Sequence, residues 1–247
     1  MKSTPFFSIV IPTLNEENFL PKLLLDLKNQ SYKDFEIIHV DGNSQDKTVD
    51  LASKFDVKTQ VVEKRNVSYQ RNVGINLAKG KWIIFMDADN RIGPEFIGEL
   101  KKQINKNQEY QIFSTLVASD DYKIFEKITN LWLSFREKFK HKAVLGSMII
   151  VKTIDAKKFR FDETQKVLED LIFVQKMISS GFKFKILKHP KYFYSYRRYY
   201  SDGILKTLKK NCVTIVNYYI KGKDFKDSNF GYEMSGGSRY FKKEDLT

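Results

Sequence analysis

Trp82-Ile83-Ile84-Phe85-Met86-Asp87-Ala88-Asp89 is an apolar run that stops in two carboxylates one residue apart. A run of this length reads as a strand buried on both faces, which places the acids at the carboxyl edge of a sheet, where open α/β sheets bind ligands. Side chains at i and i+2 of an extended chain point the same way, so Asp87 and Asp89 can face one divalent cation and the phosphates it carries. Acids also end strands because they are solvated there, so the pair alone decides nothing.

Upstream, strands and helices alternate. Residues 6–11 form a short apolar strand stopped by Pro12, and residues 17–29 carry helical spacing through Phe19, Leu20, Leu23, Leu24 and Leu27. Residues 35–40 make a second strand closed by Asp41, and the polar turn after it offers Ser44 or Asp46 as N-cap of a helix reaching about Phe55. A third strand over 58–62, a helix over 68–78 ended by Gly80, and a fourth strand over 81–86 complete the series. This alternation predicts an α/β fold built on a doubly wound, mostly parallel sheet flanked by helices.

The chain has 247 residues, enough to bury a core without disulfides, and its single Cys212 rules out an intramolecular disulfide framework. With no charged-then-apolar leader before Ser8 and no apolar segment long enough to span a bilayer, the expectation is a soluble, cytoplasmic protein, with the cytoplasmic membrane surface as the alternative. Lys and Arg number 43 against 30 Asp and Glu, a formal charge of +13 that favours nucleotide phosphates, nucleic acid or an anionic membrane surface.

Four motifs follow one another in order: Pro12-Thr13 with Asn15-Glu16; Asp41-Gly42 with Ser44 and Asp46; Arg71-Asn72 with Gly74; and Asp87 with Asp89. In that order the chain resembles the family-2 glycosyltransferases of the GT-A fold, which transfer a sugar from a nucleotide-sugar with inversion at the anomeric carbon. The resemblance is close over residues 6–93 and looser to about residue 200. It implies a Rossmann-related catalytic domain over 1–200, with a nucleotide-sugar half (6–93) and an acceptor half (94–200), followed by an amphipathic helix and tail over 201–247. It also implies that Pro12, Thr13, Asn15, Glu16, Asp41, Asn66, Arg71, Asp87 and Ala88 hold the donor. Asp89, with Asp87, would ligate Mn²⁺ or Mg²⁺, with His189 as a possible third ligand. Physical chemistry agrees with Asp41, since a carboxylate at a strand end can accept the imide N–H of uracil, although a turn or capping role fits it too.

In the second half, Gly146-Ser147 opens a strand over 144–152 with a backbone an acceptor can approach closely. Glu169-Asp170 begins an amphipathic helix, and the resemblance implies that this pair sits below the anomeric centre with Asp170 as general base. A first helical turn lowers a carboxyl pKa, so burial would have to keep Asp170 basic; acids placed only for the helix dipole are the simpler alternative. A strand over 191–196 leads to Arg197-Arg198, one of which could close over a diphosphate. Processive family members carry Gln-x-x-Arg-Trp in this region; its absence here implies single-sugar transfer, in surface or cell-wall glycan biosynthesis. His39 and His141 receive no role.

Two apolar helical faces remain, one through Ile124, Phe125, Ile128, Leu131, Trp132, Phe135 and Phe139, the other through Ile204, Leu205, Leu208, Cys212, Ile215, Val216 and Tyr219. Burial against the sheet is the expectation for both, and contact with a membrane carrying a lipid-linked acceptor is the alternative. Expected partners are therefore a nucleotide-sugar and a glycan or lipid-linked acceptor, with no nucleic acid. A sugar-phosphate nucleotidyltransferase would bring a Gly-rich basic loop after strand one, where Pro12-Thr13-Leu14-Asn15-Glu16 stands instead. A polyanion-binding protein or a noncatalytic module would leave the ordered acids unexplained.

Overall fold

The computed structural model describes residues 4–119, 122–137 and 147–221. One seven-stranded sheet runs in the order β3-β2-β1-β4-β6-β5-β7. Strands β1 (Phe7–Thr13), β2 (Phe35–Asp41), β3 (Lys58–Val61) and β4 (Trp82–Met86) pair in parallel. Strand β6 (Met148–Lys152) runs antiparallel between β4 and β5 (Ile112–Ala118), and β7 (Phe184–Phe193) closes the edge parallel to β5. The mostly parallel sheet is thus as expected, while β5 and the first half of β7 escape the patterning: Lys185 and Lys188 interrupt the apolar residues of β7, which ends at Phe193 rather than continuing to 196.

Every residue of β1 and β4 is buried because helices cover both faces. Alternation along the strands sorts the core into two layers. Phe7, Ile9, Ile11, Trp82, Ile84 and Met86 share one with α1 (Leu20–Lys28) and α4 (Phe96–Lys106). Val10, Ile83 and Phe85 share the other with α3 (Val67–Leu77), α6 (Thr153–Phe159) and α7 (Glu169–Ser179). Helix α3 lies close on β1 because Gly74 has no side chain: a Cβ there would sit 2.3 Å from Val10 Cγ1.

The chain builds β1, β2 and β3 outward and then returns to set β4 on the other side of β1, so β1 and β4 flank the topological switch point. Their pairing stops at Val10↔Phe85, whereas β1 continues beside β2 to Thr13↔Asp41. This is why Pro12 does not end the strand as expected. Beyond Val10 the strand has a neighbour on one side only, and the missing N–H leaves no ladder bond unmade. The crevice between the diverging strand ends is where the acids collect.

Helix α5 (Lys123–Glu137) corrects an expectation. Its apolar stripe does not pack on the sheet: Ile124, Ile128, Leu131 and Phe135 are exposed and Trp132 is 38% exposed, with only Leu133 fully buried. The helix is held by its other side, through Leu133 in the second core layer, Phe125 with its ring 6.0 Å from those of Tyr196 and Tyr199, and polar contacts. Asn130 donates to Val117 O and accepts from Val117 N, both at 2.9 Å, and Glu137 accepts from Ile186 N. After α8 (Arg197–Ser201), the last described element is α9 (Ile204–Lys221). It too leaves Leu205, Val213 and Val216 exposed while burying Thr207 and Asn217.

Candidate active site

The end of β2 carries a fully buried carboxylate, Asp41. Its Oδ1 accepts from Thr13 Oγ1 (2.7 Å) and Ser44 Oγ (2.6 Å), and its Oδ2 from Ser44 N (2.7 Å). Since the Thr13 proton is spent on Asp41, the 2.8 Å contact between Thr13 Oγ1 and His39 Nε2 requires the imidazole to donate, leaving Nδ1 to accept from Thr59 Oγ1 at 3.1 Å. His39 is held neutral, its pKa pushed down to about 4 by burial despite the nearby Asp41. His39 is thus a supporting residue that the sequence could have disclosed, standing at i−2 of Asp41 and on the same strand face.

Ser44 is accordingly not the helix cap expected of it or Asp46, but a ligand of Asp41 that also accepts from Asn15 N at 2.8 Å; helix α2 (Thr48–Ala52) starts after Lys47 with no side-chain cap and stops short of Phe55. Asp46 accepts from Thr48 N and Glu17 N, and Thr48 Oγ1 from Glu16 N. These bonds stitch the loops after β1 and β2 together, with Asn15 and Asn43 in left-handed backbone. Asn66 serves as N-cap of α3, accepting from Tyr69 N at 2.8 Å. Its amide reaches the Glu163 carbonyl, and Asn72 binds both the Phe161 backbone and Glu163 Oε1. The Asn of the Arg-Asn-x-Gly motif therefore clamps the segment that leads to Glu169 and Asp170.

Arg71 is buried on α3 and joins the two halves of the molecule. Its Nη1 lies 2.9 Å from Glu169 Oε1 and its Nη2 lies 3.2 Å from Asp87 Oδ1. Helix α7 starts just after Leu168, a non-glycine residue in the left-handed region at φ 58°, a strained conformation of the kind that gathers at functional sites. Within that first turn Asp170 is pushed up to about 7, chiefly by burial and then by Glu169, against the lowering pull of Arg71 and the Leu171 N–H. Desolvation outweighs the helix terminus.

Across the crevice a second ion-pair group forms. The Arg197 guanidinium takes Glu16 bidentately, at 2.8 and 2.9 Å, while its Nε lies 3.0 Å from Asp89 Oδ2. Burial still raises both carboxyls, Glu16 to about 7 and Asp89 above its ordinary value. Nearby charges at Asp87 and Asp89 add to the effect on Glu16. These residues lie far apart in the sequence, and only the fold pairs them.

Other expected site residues stand differently. Pro12 and Ala88 are buried beside the strand ends. Ser147 is buried too, its hydroxyl 2.8 Å from Tyr192 Oη and its carbonyl accepting from Asn90 Nδ2, so it supports the loop after Asp89 rather than presenting an open surface. His189 is exposed on β7, and among the described residues no group of three His, Cys, Asp or Glu side chains is placed to hold a metal, so it does not join Asp87 and Asp89. Gly146, the side chain of Arg198, His141 and the tail from 222 lie outside the described residues.

The profile of the family described as Glycosyl transferase family 2 matches residues 8–168, ending one residue short of Glu169. An uncharacterized glycosyltransferase of Methanocaldococcus jannaschii is 26% identical over 229 residues, covering 87% of this chain and 78% of its own. The poly(ribitol-phosphate) β-N-acetylglucosaminyltransferase TarS of Staphylococcus aureus is 24% identical over 78% of this chain, which spans only 36% of that protein. TarS 1–349 in complex with UDP-GlcNAc superposes with a TM-score of 0.61 at 21% identity, covering 76% of this chain and 58% of that one. A mannosyltransferase of Pyrobaculum calidifontis in complex with GDP-Man and Mn²⁺ superposes with a TM-score of 0.64 at 15% identity, covering 86% of this chain and 65% of that one. At these identities the superpositions establish a shared GT-A-type fold.

Proposed function

The chain belongs to glycosyl transferase family 2, and from that premise we propose that it is an inverting glycosyltransferase moving one sugar from a UDP-linked donor to an acceptor hydroxyl during surface or cell-wall glycan assembly. The observation that carries this reading is Asp170, held in the first turn of α7 beside Glu169, which Arg71 ties to Asp87 at the end of β4, and pushed up to about 7 chiefly by burial. A general base works best with a pKa near the operating pH. The acceptor oxygen attacks the anomeric carbon and gives its proton to Asp170. The bond to the donor phosphate oxygen breaks from the opposite face, and UDP departs.

Charge accumulating on the leaving diphosphate needs fixed cations, which Arg71 and Arg197 supply. Asp87 and Asp89 also fit a divalent cation: they leave one strand end together, burial makes Asp89 favour added positive charge, and diphosphate oxygens can complete the ligand set. Bound Mn²⁺ or Mg²⁺ would neutralise the leaving group. Uridine is preferred over guanosine because TarS, which matches this chain in sequence as well as fold, was solved with UDP-GlcNAc.

Calorimetric titration with UDP and GDP, with and without Mn²⁺, tests the donor half: micromolar, metal-assisted UDP binding that is lost in Asp89→Ala is the expected result. A chain that binds neither nucleotide would overturn the reading. Release of UDP from UDP-sugars, abolished in Asp170→Asn while UDP binding persists, tests the base.

A further inference from the structure

Helix α5 is amphipathic in the inverted sense. Its exposed residues Ile124, Ile128, Leu131, Trp132 and Phe135 recur at helical spacing along one stripe, with Leu131 at 73% exposure. Its two acids are turned away from that stripe. Glu126 binds Lys191 Nζ (3.0 Å) and Ser119 N, and Glu137 accepts from Ile186 N (2.7 Å). Lys127 stands exposed on the same helix, as does Lys123, which also lies 3.6 Å from Glu126 Oε2. Helix α9 repeats the arrangement: it contains no acid, exposes Leu205, Val213 and Val216, and sets Lys206 and Lys209 in solvent. An apolar stripe flanked by lysines, with no outward carboxylate, matches the acyl boundary and headgroups of an anionic bilayer. A second copy of the chain would bring lysines against lysines, which disfavours self-association through this face.

We propose that the outward face of α5 is a peripheral docking surface for anionic phospholipid. No described helix is long and apolar enough to cross a membrane, so the contact is interfacial. Phe125 of this helix meets Tyr196, the neighbour of Arg197, so such placement would bring the crevice near an acceptor carried on lipid.

The test is co-sedimentation of the full chain with phosphatidylcholine vesicles with and without phosphatidylglycerol, alongside tryptophan emission. Trp132 lies on the stripe and the other tryptophan, Trp82, is buried, so contact should shift the emission to the blue and make it quenchable by brominated lipid. Binding should require phosphatidylglycerol and weaken with salt. It should fall at least about tenfold in an Ile128→Glu/Leu131→Glu variant. Lys127→Glu/Lys206→Glu should weaken it while leaving UDP affinity and melting temperature unchanged. Since these positions are exposed, the variants should fold, and unchanged UDP binding separates failure of this proposal from failure of the transferase reading. Absence of vesicle binding, binding indifferent to the glutamate variants, or a dimer in light scattering that these variants dissolve would each overturn it.

Discussion

Replacing Arg71 by methionine should be the most costly single change at the crevice that leaves the apolar core intact. The Arg71 side chain is 3% exposed and is shared by Glu169, 15% exposed, and Asp87, 38% exposed. Removing one partner of a buried pair costs about 3–5 kcal/mol, because the remaining charge stays desolvated. The Asp87 contact is open enough to water to be worth under about 1 kcal/mol. The expected loss is therefore about 3–4 kcal/mol, dominated by Glu169. With a urea dependence of about 3 kcal/mol per molar, the midpoint should fall by about 1 M.

The deficit has a definite pH dependence. Asp170 sits at about 7 in the folded chain against 3.8 for an unperturbed carboxyl, so the folded state binds the extra proton. That contribution is fully present below about 4 and is lost as pH rises through about 7. Arg71 lowers this pKa, so in the variant it lies higher and ionisation of Asp170 at pH 8 is more costly than in the parent. Urea denaturation followed by circular dichroism should show a larger deficit at pH 8 than at pH 5.5. Arg71→Lys, which keeps the charge but cannot fork to two carboxylates, should recover part of it. A deficit below about 1 kcal/mol, or one that grows toward acid pH, would refute the assignment of Arg71 as the compensating charge.

Further outcomes are expected. Asp170→Asn should lower turnover by about 10²–10⁴, and the parent kcat/KM should rise with pH through about 7 as Asp170 ionises; a flat profile in initial-rate measurements would remove it as the base. Arg197→Ala takes away the cation shared by Glu16 and Asp89, so calorimetry should show tighter binding of free Mn²⁺ and weaker binding of UDP; unchanged values for both would mean that the pairing is incidental. Gly74→Ala drives a Cβ to 2.3 Å from Val10 Cγ1 and should cost about 1–3 kcal/mol, read as a drop of about 2–4 °C in Tm per kcal/mol.

Much of the parallel half was legible in the chain. Strands β1, β2 and β4 announce themselves by short apolar runs closed by Pro12-Thr13, Asp41 and Asp87, and those closures are the crevice. The information is local: side-chain period, turn residues and i, i+2 geometry all act within a few residues. Folding decided what depends on packing between distant segments. Arg197 meets Glu16 across 181 positions of sequence, and no spacing rule reaches that far. Whether Asp170 is acidic or basic depends on desolvation, which a sequence does not state and which here overrides the first-turn effect that would lower it. The apolar stripe of α5 has the same periodicity whether it faces the sheet or the solvent. Leu133 in the core, Phe125 against Tyr196 and Tyr199, and the polar anchors Glu126, Asn130 and Glu137, each bound to the backbone of β5, β7 or the residues just after β5, together turn it outward. Composition and period fix which side chains share a face, and the partners available after collapse fix which way that face points.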